Sequence, residues 1–104
     1  MTDEASDSPV ERATDGVSKW IDFHGADGIS FALPYRDLQW VEMSSPEAII
    51  LVFRNHRVTV RGRNLRPVYH AVLVERLARL REDDEDWVSE AETFISQVVV
   101  ERNT

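Results

Sequence analysis

Apolar and polar positions alternate along much of the middle of this chain, and a period of two marks strands with one buried face. Trp20-Ile21-Asp22-Phe23-His24 and Ile29-Ser30-Phe31-Ala32-Leu33 both alternate, with Gly25-Ala26-Asp27-Gly28 between them. A three-residue loop at Ala26-Asp27-Gly28, with Gly28 in the left-handed region, pairs Phe23 with Phe31 and Ile21 with Leu33. That register gathers the large apolar side chains on one face, and a slip of one residue would turn them outward. Pro34 has no amide hydrogen for a ladder, so Pro34-Tyr35-Arg36-Asp37 is expected to bend. Leu38-Gln39-Trp40-Val41-Glu42-Met43 follows as a third strand, with Trp40 read as core, and Ser44-Ser45-Pro46-Glu47 as a turn.

A second hairpin spans Ile49-Ile50-Leu51-Val52-Phe53 and Val58-Thr59-Val60-Arg61. A two-residue turn at Asn55-His56 places Phe53 opposite Val58 and Leu51 opposite Val60. Ile49, Leu51, Phe53, Val58 and Val60 then share one face. Ile50, Val52, Thr59 and Arg61 share the other, which is half apolar and suited to being covered.

Gly62-Arg63-Asn64-Leu65-Arg66-Pro67 turns the chain into a helix. Asn64 is the expected N-cap, and Pro67 falls in the first turn, where its missing N–H costs nothing. The helix is expected to run to about Arg81. Leu65, Tyr69, Val72, Leu73, Leu77 and Leu80 form its stripe, while Val68, Ala71, Val74 and Ala78 widen it. Arg76, Arg79 and Arg81 complement the negative end of its dipole. A helix apolar over most of its circumference is covered on more than one side. The last segment reads two ways. Ser89-Glu90-Ala91-Glu92 fits a capping box, whereas the β-branched run ending in Val98-Val99-Val100 favours a strand from Phe94 to Glu101.

The expected fold is α+β. A curved antiparallel sheet of four to five strands, built from two hairpins, is packed by one main helix in the C-terminal half, with a final strand after an acidic linker. Residues 1–17 read as a disordered acidic tail and 18–81 as the domain. Residues 82–88 read as the linker, and 89–104 as a strand or short helix docking on the domain or a partner.

Charge adds an asymmetry to this picture. Residues 1–17 carry a net −4 and 82–104 a net −7, while 18–81 carry +4. Arg54, Arg57, Arg61, Arg63 and Arg66 lie in one short stretch at the second hairpin and the start of the helix. With the helix N-terminus they are candidates for binding an anion, a nucleic acid or a phospholipid head group. No aromatic residue alternates with them as single-strand binders require. The acidic ends of the same chain are an equally good partner for them.

Enzymatic chemistry finds little support. The chain has no cysteine, so thiolate catalysis and Cys-ligated zinc are excluded. It also lacks a Gly-x-Ser-x-Gly motif and a phosphate loop. Asp22 and His24 share a strand face, but His56 and His70 fall on other elements, so no metal site is expected. No cofactor is implied. The acidic start lacks the apolar core of a secretory signal, and the apolar runs of about five residues fall short of the ~20 a membrane helix needs. The expectation is a cytoplasmic, non-enzymatic protein-interaction module that self-associates, as a dimer, or joins a larger assembly. Trp20, Ile50, Val52, Val68 and Trp87 are its candidate interface residues, since tryptophan is enriched at interface anchors.

Overall fold

The structure, a computed structural model, describes residues 9–25, 27–83 and 92–103. It is a mostly-β α+β fold. The strands are β1 (Val10–Arg12), β2 (Trp20–His24), β3 (Ser30–Pro34), β4 (Leu38–Ser45), β5 (Ala48–Phe53), β6 (His56–Arg63), β7 (Leu77–Arg81) and β8 (Phe94–Arg102). One short helix, α1 (Arg66–Leu73), lies between β6 and β7. The strands form two four-stranded sheets rather than one sheet of four to five. The first, ordered β1-β7-β2-β3, is mixed, and the second, β4-β5-β6-β8, is antiparallel. None of the described helices is long and apolar enough to cross a membrane.

The first hairpin forms in the expected register, with Phe23 opposite Phe31 and Ile21 opposite Leu33. Gly28 has φ +87°, and the Gly25 amide donates to the Ile29 carbonyl at 3.0 Å to close the loop. The second hairpin is displaced by two residues. Leu51 faces Val58 and Ile49 faces Val60, so the turn is Arg54-Asn55. Outside contacts select it: the Arg54 amide donates to the Asp37 carbonyl and the Asn103 amide to the Asn55 carbonyl, both at 2.9 Å. A shift of two keeps every side chain on its expected face.

The largest departure is the helix, which ends at Leu73 instead of running to Arg81. Its last turn closes as a Schellman motif. The Arg76 amide donates to the Ala71 carbonyl (2.8 Å) and the Glu75 amide to the Val72 carbonyl (3.0 Å). Glu75 adopts φ +60°, a conformation that costs an L-residue about 1–2 kcal/mol. Leu77 and Leu80, three apart, suit a helix stripe, but β7 places both inside by another device. Glu11 pairs with Arg79 while Arg12 pairs with Leu77, so Ala78 is an extra residue that restores the inward phase. Val10–Arg12, expected to be part of a disordered tail, is thereby a strand.

Asn64 does not cap the helix. It takes φ +55°, and Leu65 occupies the cap position without a side-chain hydrogen bond. Instead Asn64 pins the start of β8. Its Nδ2 donates to the Glu92 carbonyl (3.1 Å), and the Thr93 hydroxyl donates to the Asn64 carbonyl (2.7 Å). Gly62 lies inside β6 rather than in a turn. The strand predicted from Phe94 to Glu101 is β8, paired antiparallel to β6. Trp87, most of the acidic linker and most of the Ser89–Glu92 capping box fall outside the described residues.

One core lies between the sheets, closed by α1. Phe23 of the first sheet meets Phe53 of the second edge to face, with ring centroids 6.1 Å apart. Ile21, Leu77 and Leu80 pack there with Ile49, Leu51, Val58 and Val60, and α1 adds Val68, Ala71 and Val72. The Val98 amide of the edge strand β8 is taken by Glu82 Oε2 at 2.7 Å, which blocks that position to another chain.

The strain at Glu75 gives a first prediction. Glu75→Gly should stabilise the fold by about 0.5–1 kcal/mol, the relief exceeding the added unfolded-state entropy. Thermal unfolding should show Tm higher by roughly 2–8 °C.

Candidate protein-interaction surface

The described chain exposes seven large apolar side chains: Val17, Trp20, Ile29, Phe31, Trp40, Leu73 and Val74. Their positions are not scattered. Val17 and Trp20 line a groove of about 440 Å³ together with Lys19, Pro34, Tyr35, Arg36 and Glu75. Trp40 and Leu73 line a second, of about 240 Å³, with Leu38, Gln39, Tyr35 and Glu75. Tyr35 and Glu75 belong to both, so the two grooves are neighbours, and Val74 sits between Leu73 and Glu75. Ile29 and Phe31 line a separate opening of about 250 Å³ against Val98 and Val100.

Local structure explains why these residues meet. Pro34 ends β3 and starts a 3₁₀ turn, Tyr35–Asp37, that swings Tyr35 inward. The Tyr35 amide donates to the Lys19 carbonyl at 3.0 Å, and its hydroxyl donates to the Leu77 carbonyl at 2.8 Å. The segment before β2 is tied to the end of α1 by the Ser18 amide on the Glu75 carbonyl (2.8 Å) and the Ala13 amide on the Arg76 carbonyl (2.7 Å). Arg76 also donates from its guanidinium to the Ala13 carbonyl at 2.8 Å. Val17, Trp20, Tyr35 and Glu75 are therefore held by backbone bonds on several sides.

Burial holds the Tyr35 phenol well above its usual value, with a further push from the Glu75 carboxylate. The folded state thus keeps a proton that the unfolded chain releases near pH 10. The linked stability is complete below that pH and is lost as pH rises beyond it. Tyr35→Phe should lose about 1 kcal/mol at neutral pH, for the missing hydrogen bond to Leu77. Its stability should also fall less steeply above about pH 10 than that of the parent. Urea unfolding followed across alkaline pH checks both.

The candidate interface residues fall in different places. Trp20 is 48% exposed, at the groove it shares with Tyr35. Ile50 and Val52 are half-buried on the outer face of the second sheet. Val68 is 1% exposed and belongs to the core, because α1 turns it toward Val72 and the sheets; it is not a surface residue. Trp87 is outside the described residues. Trp40, expected in the core, is 60% exposed. Val41 and Met43 take the inward phase of β4, and the Trp40 indole donates to Glu42 Oε1 at 2.7 Å on the opposite face. That phase was readable in the sequence, because Trp40 alternates with Val41 and matches Glu42. Leu73 and Glu75 carry no such signal, because their place at the grooves depends on α1 ending at Leu73.

The arginines do not converge on one site. Arg57 and Arg61 share the outward phase of β6, where Arg57 faces Val52 and Glu101 and Arg61 faces Gln97. The expected Arg54–Arg57 pairing is absent, since Arg54 lies in the turn with its Nε 4.0 Å from Asp37. Arg63 stacks its guanidinium over Phe94, 5.0 Å from the ring centroid, and Arg66 opens α1. Arg54 and Arg63 stand at opposite ends of β6, on the order of 20 Å apart.

His24 lies 2.9 Å from Asp22, which also faces Arg79 at 4.0 Å, and Arg79 in turn reaches Glu11 at 3.4 Å. This ladder of charges crosses the outer face of the first sheet. His56 neighbours Phe31 and His70 neighbours Tyr69. Among the described residues, no three metal-ligating side chains come together.

Comparison with protein family models, with curated proteins and with solved structures gives no match. The surface is therefore interpreted from its own chemistry.

Proposed function

We propose that this protein is a non-enzymatic interaction module that acts in the cytoplasm, either self-associating or joining a larger assembly through the face between Trp20 and Trp40. One observation carries this reading. Four of the seven exposed large apolar side chains, Val17, Trp20, Trp40 and Leu73, line two adjoining grooves. Apolar residues exposed singly are ordinary, but clustered ones with a polar rim mark docking surfaces. Tryptophan beside a concave pocket is the usual anchor of such a surface. Backbone hydrogen bonds hold the grooves in place, which limits the entropy lost on docking.

The test is site-specific photo-crosslinking. Leu73 is replaced by p-benzoylphenylalanine and the protein irradiated in the cells that make it. A discrete adduct heavier than the monomer is expected at this position. The same probe at Gln97, exposed on the outer face of the second sheet, should give none. An absence of adduct at Leu73, or equal adducts at both positions, would contradict the reading.

A further inference from the structure

The two grooves differ in charge, and that difference identifies what fits them. The groove beside Trp20 carries the cations Lys19 and Arg36 along with Glu75. Among the described residues, the groove beside Trp40 adds no charged side chain to the shared Glu75, and Glu42 sits against the Trp40 indole. The cations of the apolar face therefore lie at its Trp20 end, and its anions lie at Glu75, where the grooves meet, and at Glu42 beside Trp40. Among the described residues, the side chains of Lys19, Arg36 and Glu75 form no ion pair within the chain.

A face with this pattern is complementary to itself. Rotation by a half-turn about an axis near Tyr35 lays the cationic end of one copy toward Glu75 of another, and the same contact then forms twice. We infer that the occupant of this face is a second copy of the chain, docked across a two-fold axis, with Arg36 of each copy facing Glu75 of the other. This rests on the proposed docking function and names its partner.

The backbone at Glu75 supports the assignment. The Schellman position suits glycine, yet a glutamate sits there at φ +60°. Within the chain, its side chain has no bonding role among the described residues. A contact to the second copy gives that carboxylate a use which offsets the strain. Glu75→Gly should then move two properties in opposite directions, raising Tm while weakening association. A purely structural role for Glu75 would raise Tm and leave association unchanged.

The decisive experiment uses the full chain in sedimentation velocity with light scattering. Wild type should show a reversible monomer–dimer equilibrium. Arg36→Glu and Glu75→Arg place like charges opposite each other at two symmetric contacts. Each should raise the dissociation constant at least about tenfold. Mixed in equal amounts, the two variants are complementary at both contacts and should recover the dimer mass. That recovery also shows that each variant is folded.

A wild type that stays monomeric at high concentration overturns the inference. So do single variants that dimerise like wild type, or a mixture that stays monomeric. Two results would overturn the two-fold pairing and leave the docking face standing. One is a dimer lost on Trp20→Ser/Trp40→Ser but indifferent to the charge changes. The other is a Leu73 adduct whose mass is not that of a dimer.

Discussion

Gly62→Ala is expected to cost about 3 kcal/mol or more, at the upper end of overpacking effects because the clash is with backbone. A Cβ at this position would overlap the Phe94 carbonyl oxygen and lie 3.1 Å from the Ile95 Cα. Neither atom is the tip of a flexible side chain. Beside this contact the ladder carries a bulge, where Arg61 pairs with Gln97 but Gly62 pairs with Ile95. Ser96 is the extra residue, and its hydroxyl donates to the Arg61 carbonyl at 3.1 Å. Relieving the overlap means pushing β8 away from β6. A chain of this size has a total stability of roughly 5–15 kcal/mol, so a large share would go. Urea unfolding measures the loss, and hydrogen exchange should show it concentrated in the β8 amides. Gly25→Ala is the control. Its added Cβ would meet only the Asp27 side chain as a close neighbour, at 3.1 Å, and the cost should be under about 1 kcal/mol.

Phe23→Ala should destabilise by about 3–5 kcal/mol. Phe23 is 1% exposed and packs edge to face on Phe53 of the opposite sheet. It also pairs in register with Leu80 of β7. Truncation leaves a cavity where the two sheets meet, and neither ladder can close it without breaking strand pairing. Loss in a single cooperative transition would show that the sheets unfold as one unit. Two separate transitions would show that they do not share a core. The same truncation at Phe31, on the exposed end of the same face, should cost far less.

What could be read from the sequence follows from how tightly each residue constrains its neighbours. The first hairpin was legible because Gly28 fixes the loop, and the loop fixes the phase of Ile21, Phe23 and Leu33. The faces of the second hairpin were legible although its register was not, since a shift of two leaves alternation intact. Strand β7 was hidden because Leu77 and Leu80 have helical spacing, and only the bulge at Ala78 reconciles that spacing with a strand. Strand β1 was hidden for a linked reason. Val10 is its sole apolar residue, and the spacing of Leu77 and Leu80 in its partner strand reads as helical. Gly62 did carry a signal, since a lone glycine in an alternating run marks a bulge or a close backbone approach.

The candidate site was legible only in part. Trp20 was marked by its residue type, and the outward phase of Trp40 was present in the pattern of β4. Glu75 and Leu73 depend on where the helix stops, which its propensities do not fix. The grooves themselves arise from contacts between residues far apart in the chain, such as Ser18 with Glu75 and Tyr35 with Leu77.

Amide chemical shifts followed through a wide dilution series test the docking of a second copy on the Trp20–Trp40 face most directly. Concentration-dependent shifts should appear at residues 17–20, 35–41 and 72–75, together with the Trp20 and Trp40 indole N–H signals. Spectra that do not change with concentration, or shifts confined to Arg61 and Gln97 on the β6–β8 side of the second sheet, away from Trp40, would contradict it.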